Sequence, residues 1–115
     1  MTTQKPFAAL GGVLCALAVA LAAYAAHGVD GEARARLSLA AAFAFGHGVA
    51  LAALASHAAQ RLGTLALAML SAGVLLFAGS LVAAALWHAP TTFAPFGGLL
   101  LIAGWLLFAV HSLRR

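Results

Sequence analysis

The sequence predicts an all-α membrane protein: four transmembrane helices in an up-down-up-down bundle, both termini cytoplasmic. Three observations predict it. Apolar residues make up 65% of the 115 positions and charged residues only 7%. The mean hydropathy is +1.08, where a soluble domain is roughly half apolar. So few charges cannot clothe a water-facing surface of this size, so most of the surface must face lipid. The apolar residues also fall into four runs, about 7–26, 37–59, 64–87 and 96–113, separated by short polar connections. At about 1.5 Å per residue each run is long enough for a hydrocarbon core of roughly 30 Å. The chain is therefore one domain, 1–115.

The first run, from Phe7 to Ala26, carries no charge. A signal peptide is its rival reading, because Ala23-Tyr24-Ala25 resembles a small-x-small cleavage site. The run exceeds the usual apolar core of about 7–15 residues and more spans follow, so a retained span is expected. His27 to Arg36 is a loop holding both acids of the chain. Asp30 is placed to cap a helix that begins at Gly31 and enters the membrane near Leu37. Asp30 with Arg34, and Glu32 with Arg36, are acid-before-base pairs four apart, the favourable order on a helix.

The second run continues to Ala59, where Gln60-Arg61-Leu62-Gly63 makes a tight connection. The third, Thr64 to Trp87, contains Ser71, Gly73, Gly79 and Ser80. The prolines Pro90 and Pro95, with Thr91 and Thr92, mark a loop before the fourth run, which Arg114 and Arg115 stop. Short connections force successive helices antiparallel. Lys5, Arg61, Arg114 and Arg115 then share one side, and Arg34 and Arg36 the other. The larger set belongs in the cytoplasm, which predicts a multi-pass membrane protein with both termini inside.

Helices in lipid associate through small residues that let backbones approach. Gly12, Ala16 and Ala20 form one such ridge, Gly48, Ala52 and Ser56 a second, Gly79 and Ala83 a third. Gly97, Gly98 and Gly104 offer the same in the fourth span. The composition also excludes functions. The six Lys and Arg form no run, so no nucleic-acid partner is expected. The single cysteine, Cys15, rules out an intramolecular disulfide. No Ser/His/Asp set, phosphate loop or CxxC is present, so neither an enzyme nor a cofactor is expected.

His47, between Gly46 and Gly48, is the residue most out of place. Counting depth puts it near mid-membrane, level with Cys15, Leu76 and a position close to Trp105. A histidine there needs partners for its ring nitrogens. It is a proton relay, a metal ligand or a polar anchor for a headgroup or quinone, or else a neutral ring bonded to a neighbouring carbonyl or hydroxyl. No acid lies in any span to complete a proton relay, which favours the neutral ring. His27 and His88 end the first and third runs on the outer side, within reach of Tyr24, Thr91 or Thr92. Two imidazoles fall short of a zinc ligand set, so no metal is expected. His57 and His111 are expected to face headgroups. Ser71 and Ser80 can bond across helices or back to their own helix, the second being favoured.

An ordered set of motifs runs nearly the length of the chain. It comprises Tyr24-Ala25-Ala26-His27-Gly28, His47-Gly48-Val49-Ala50-Leu51, Phe77-Ala78-Gly79-Ser80-Leu81, Ala94-Pro95-Phe96-Gly97-Gly98 and Gly104-Trp105-Leu106. It resembles the transmembrane protein 256 family, also called domain of unknown function 423, with its bacterial YgdD-like members. The resemblance implies a four-helix inner-membrane protein. It points to His27, His47, Ser80, Gly97, Gly98 and Trp105. The family often has tyrosine just before the helix-two histidine and just after the helix-three serine; here those places hold Gly46 and Leu81. The expected role is that of an accessory or structural protein that self-associates or joins a larger membrane complex. The alternative is a binding or transport module for a small hydrophobic or weakly polar ligand. Its candidate residues are His47, His27, Tyr24, Ser80 and Trp105.

Overall fold

Four helices carry the chain: α1 (Gln4–His27), α2 (Gly31–Leu54), α3 (Arg61–Trp87) and α4 (Ala94–Arg114). A short 3-10 helix, Ala55–Ala59, extends α2. All four are long and apolar enough to cross a membrane. The computed structural model describes residues 3–114; Arg115, counted with the basic set, lies outside the described residues. Pro6 and Pro95 fall in the first turns of α1 and α4, where a missing N–H breaks no helical bond.

The connections are tight and each has a physical device. Gly31 adopts φ +59, a left-handed conformation open mainly to glycine. Asp30 holds the cap position of α2, yet its side chain makes no capping hydrogen bond. Arg34 does not pair with Asp30 either. Its Nε donates to the carbonyls of Ala25 at 2.9 Å and Val29 at 3.0 Å, and its second nitrogen reaches that of Ala26 at 3.3 Å. The last carbonyls of α1 lack helical partners and form the negative end of its dipole. They outcompete a carboxylate left in water. The Glu32–Arg36 ion pair does form.

The turn from α2 to α3 tightens through the 3-10 helix and leaves Gln60 extended. Thr64 Oγ1 closes it, donating to the carbonyl of Ala58 at 2.8 Å or of Gln60 at 2.9 Å. Thr3 Oγ1 donates to the same Ala58 carbonyl at 2.9 Å, so the start of α1 is tied to this turn. At the end of α3, His88 is left-handed with φ 57, and the amides of His88 and Ala89 return to the carbonyls of Ala84 and Ala83.

Each helix packs on the next in sequence, antiparallel throughout. The helices do not close into a ring. α1 brushes α3, and no Cα of α1 or α2 comes within 8 Å of one in α4. The most apolar stretch of α3 is 44% buried and that of α1 only 17%, which places α3 at the centre and α1 at an edge. The main core joins Leu14, Leu51, Leu67, Leu70, Val74 and Leu101. A smaller cluster of Ala40, Ala78 and Leu81 lies toward the acid-bearing end.

Glycines set the closest approaches. α1 meets α2 where Gly11 faces Gly48: a Cβ on Gly11 would lie 2.5 Å from the Gly48 carbonyl oxygen. α3 meets α4 where Gly97 lies against Phe77 and Gly73; a Cβ on it would lie 2.9 Å from the Gly73 oxygen. Gly104 makes room for Leu70, and Gly98 only approaches the ring of Phe77. Two expected packing glycines take no part. A Cβ on Gly12 or on Gly79 would meet nothing within 4 Å. Gly11 and Gly73 hold the contacts instead. A row of small residues fixes spacing along a helix, and the direction it faces depends on where the neighbour lies.

Candidate functional site

Between α2 and α4 runs a ladder of rings. His47 sits on α2 and Trp105 on α4. The indole Nε1 donates to His47 Nε2 at 3.1 Å, and His47 Nδ1 lies 2.9 Å from the carbonyl of Phe43, one turn earlier. An indole N–H only donates. Nε2 must therefore accept, and Nδ1 must carry the proton that Phe43 receives. The arrangement holds a neutral ring in one tautomer with both nitrogens engaged. Since the backbones of α2 and α4 stay apart, this bond is a side-chain bridge across a gap.

The ladder extends both ways. Phe43 stacks on His47 at 5.8 Å between centroids and meets Phe77 of α3 at 4.6 Å. Trp105 meets Phe108 edge-on at 6.1 Å. Phe108 in turn meets His57 edge-on at 4.9 Å and lies 5.9 Å from His111. His57 Nδ1 and His111 Nε2 are 3.1 Å apart, so one ring donates and the other accepts. The two imidazoles lie at the end of the molecule that carries Lys5, Arg61 and Arg114.

His57 and His111 therefore do not simply face headgroups. His111 is only 2% exposed. Gly63 makes room for the pair: a Cβ there would run into the His57 carbonyl and lie 3.1 Å from His111 Nε2. Two cavities flank His111. One of about 150 Å³ is lined by Ser56, His57, Ala59, Gln60 and His111. The other, about 250 Å³, is lined by Gln60, Arg61, Leu62, His111 and Arg114.

The remaining expected positions lie elsewhere. His47 is half-buried, not enclosed, because the helices form an open row. Tyr24 is 46% exposed, its ring lying over Gly28. His27 ends α1 in an exposed position. His88 lines a cleft with Glu32 and Arg36 at the same end of the molecule. Among the described residues, no group of three or more His, Cys, Asp or Glu is placed to hold a metal ion. Ser80 is half-buried on α3, on the acid-bearing side of the Phe43–Phe77 contact, whereas His47 lies on the other side. Ser71 bonds back to the Leu67 carbonyl at 2.8 Å. Of the five candidate ligand residues, the structure brings together His47 and Trp105.

Counting depth brings His47 level with a position close to Trp105 but does not bring out the histidine pair. Its signal was present. Trp105, Phe108 and His111 recur every three residues on α4, one face of a helix, and His57 shares the depth of His111.

The family model described as "Protein of unknown function (DUF423)" matches residues 21–98. The chain belongs to the DUF423 family. The match takes in His47, His57 and Ser80, and ends before Trp105 and His111. No curated protein and no solved structure matches the chain.

Proposed function

We propose that this DUF423 protein is a non-enzymatic accessory protein of the bacterial inner membrane, acting by lateral association. It binds either a second copy of itself or a helix of a larger membrane complex, with its basic end in the cytoplasm. One observation carries the reading. α1 is an edge helix, and a groove of about 570 Å³ runs between it and α2. Ala18, Ala22, Ser38, Ala41 and Ala42 line the groove, together with the larger Arg34 and Phe45. Small side chains let another helix approach closely, and such packing drives association in lipid.

Ligand binding centred on His47 is the weaker reading. Both nitrogens of that ring are engaged, so a ligand there would have to displace Trp105 or the Phe43 carbonyl.

The test is site-directed crosslinking in native membranes from cysteines placed at Ala22 and Ala42. The Cys15→Ser background is used, since Cys15 is the only native thiol. A crosslinked dimer or a discrete larger adduct is expected. Ala22→Phe should abolish it. Monomer alone from both positions would end the proposal.

A further inference from the structure

We propose that the basic end binds a phosphate-type oxyanion in the pocket between Arg61 and Arg114. This does not depend on the lateral groove, which lies on another face of the molecule.

The argument begins with charge. Both acids, Asp30 and Glu32, sit in the loop before α2, beside Arg34 and Arg36. That end is balanced. The whole net charge of +4 therefore falls to Lys5, Arg61 and the two C-terminal arginines. The molecule is 46 Å long, so neither acid can reach Arg61 or Arg114. Yet Arg61 and Arg114 both line one cavity of about 250 Å³. Both side chains are exposed and no acidic side chain stands at this end of the chain, so two donors of one sign are left available to an anion.

The rest of the pocket fits the same ligand. α3 begins at Arg61, and its cap residue Gln60 makes no side-chain bond to the first amides. The cavity is lined by the cap residue and the first two residues of a 27-residue helix, and the first amides and positive end of a helix favour an anion. Gln60 lines both this cavity and the smaller one beside it, adding an amide donor. His111, buried against His57, forms the wall common to both. Arginine forks match phosphate oxygens in pairs, which lysine cannot do. At this depth the phosphate comes from an anionic lipid headgroup or from a free ion entering from water.

The test uses the full chain in detergent, examined by native mass spectrometry. One arm adds phosphatidylglycerol, another phosphatidylcholine, and a third measures inorganic phosphate by calorimetry. Phosphatidylglycerol is expected to survive on the protein at higher activation energy than phosphatidylcholine. Arg61→Gln and Arg114→Gln should each weaken retention by about tenfold, the worth of a charge-assisted bond. Arg61→Lys, which keeps the charge and the fold, should lose about half of that on a logarithmic scale. Lys5→Gln, at the same end but outside the pocket, should stay within about twofold. Competition by millimolar phosphate would identify the free ion as the ligand; binding of lipid alone would identify the headgroup. Equal losses in the arginine and Lys5 variants would reduce the site to a generic basic surface and overturn the proposal. So would equal retention of the two lipids together with no uptake of phosphate.

Discussion

Gly11 and Gly12 are neighbours on α1 with opposite surroundings, and alanine at each should act in opposite directions. Both substitutions remove the same backbone freedom, which favours a helix by up to about 1 kcal/mol. They differ only in what the new methyl meets. At Gly12 it meets nothing within 4 Å, so Gly12→Ala should be neutral or stabilising. At Gly11 it would lie 2.5 Å from the Gly48 carbonyl oxygen and 2.8 Å from the Ala52 amide nitrogen. Both are backbone atoms and cannot rotate away. The helices must part by roughly 1 Å to restore ordinary contact. Overpacking of this kind costs about 1–3 kcal/mol, and parting also weakens the neighbouring contacts. Gly11→Ala should therefore fall below Gly12→Ala by about 1–3 kcal/mol. Cys15 supplies the assay, because it lies at the same crossing: a Cβ on Gly48 would be 2.8 Å from its sulfur. The rate of maleimide labelling of Cys15, followed as dodecyl sulfate is added to detergent micelles, reports the separation of α1 from α2. Gly11→Ala should label faster at every step and shift the midpoint to less dodecyl sulfate. If the two variants behave alike, the crossing is not where the structure puts it.

Two other perturbations test the remaining elements. Trp105→Phe keeps an aromatic ring but removes the donor to His47, and His47→Leu removes the acceptor. In a double-mutant cycle by thermal unfolding in detergent, the pair should show a coupling of about 0.6 kcal/mol and at most about 1.7 kcal/mol, the average and the maximum for polar bonds between membrane helices. Strict additivity would mean the two rings do not bond. His88→Gly relieves a left-handed conformation that a β-carbon disfavours. It should raise the melting midpoint, with a gain of about 1 kcal/mol, a left-handed penalty of roughly 1–2 kcal/mol offset in part by glycine's greater freedom in the unfolded chain, about 0.4–1 kcal/mol. A lower midpoint would show that the imidazole does more at the end of α3 than tolerate its backbone.

Much of the architecture was legible in the chain. Hydrophobic runs of sufficient length, broken by Asp30-Gly31, Gln60 and Pro90, place four helices because an unbonded backbone is costly in lipid. Short connections then fix the antiparallel order. Even the pairing of His47 with the depth of Trp105 follows from counting residues. What failed was direction. Gly12 and Gly79 belong to rows of small residues and face outward, while Gly11 and Gly73 take the contacts. Arg34, spaced correctly for Asp30, turns to the carbonyls of Ala25, Ala26 and Val29. The competing partners lie on a neighbouring helix or, for Val29, in the turn that joins two helices, which no i,i+4 pattern records.

By itself, the sequence settled which segments are long and apolar enough to cross a bilayer, the order in which they follow one another and which end carries the charge. These are one-dimensional properties: length, hydropathy and order along the chain. The tertiary structure decided the azimuth of each helix. It left α1 at an edge, opened the row on the side where His47 meets Trp105, and turned His57 and His111 toward each other. The reason is that helices in lipid gain little from hiding apolar surface. Rotation is settled by where glycines let backbones touch and where polar groups find partners, and only the assembled molecule shows both.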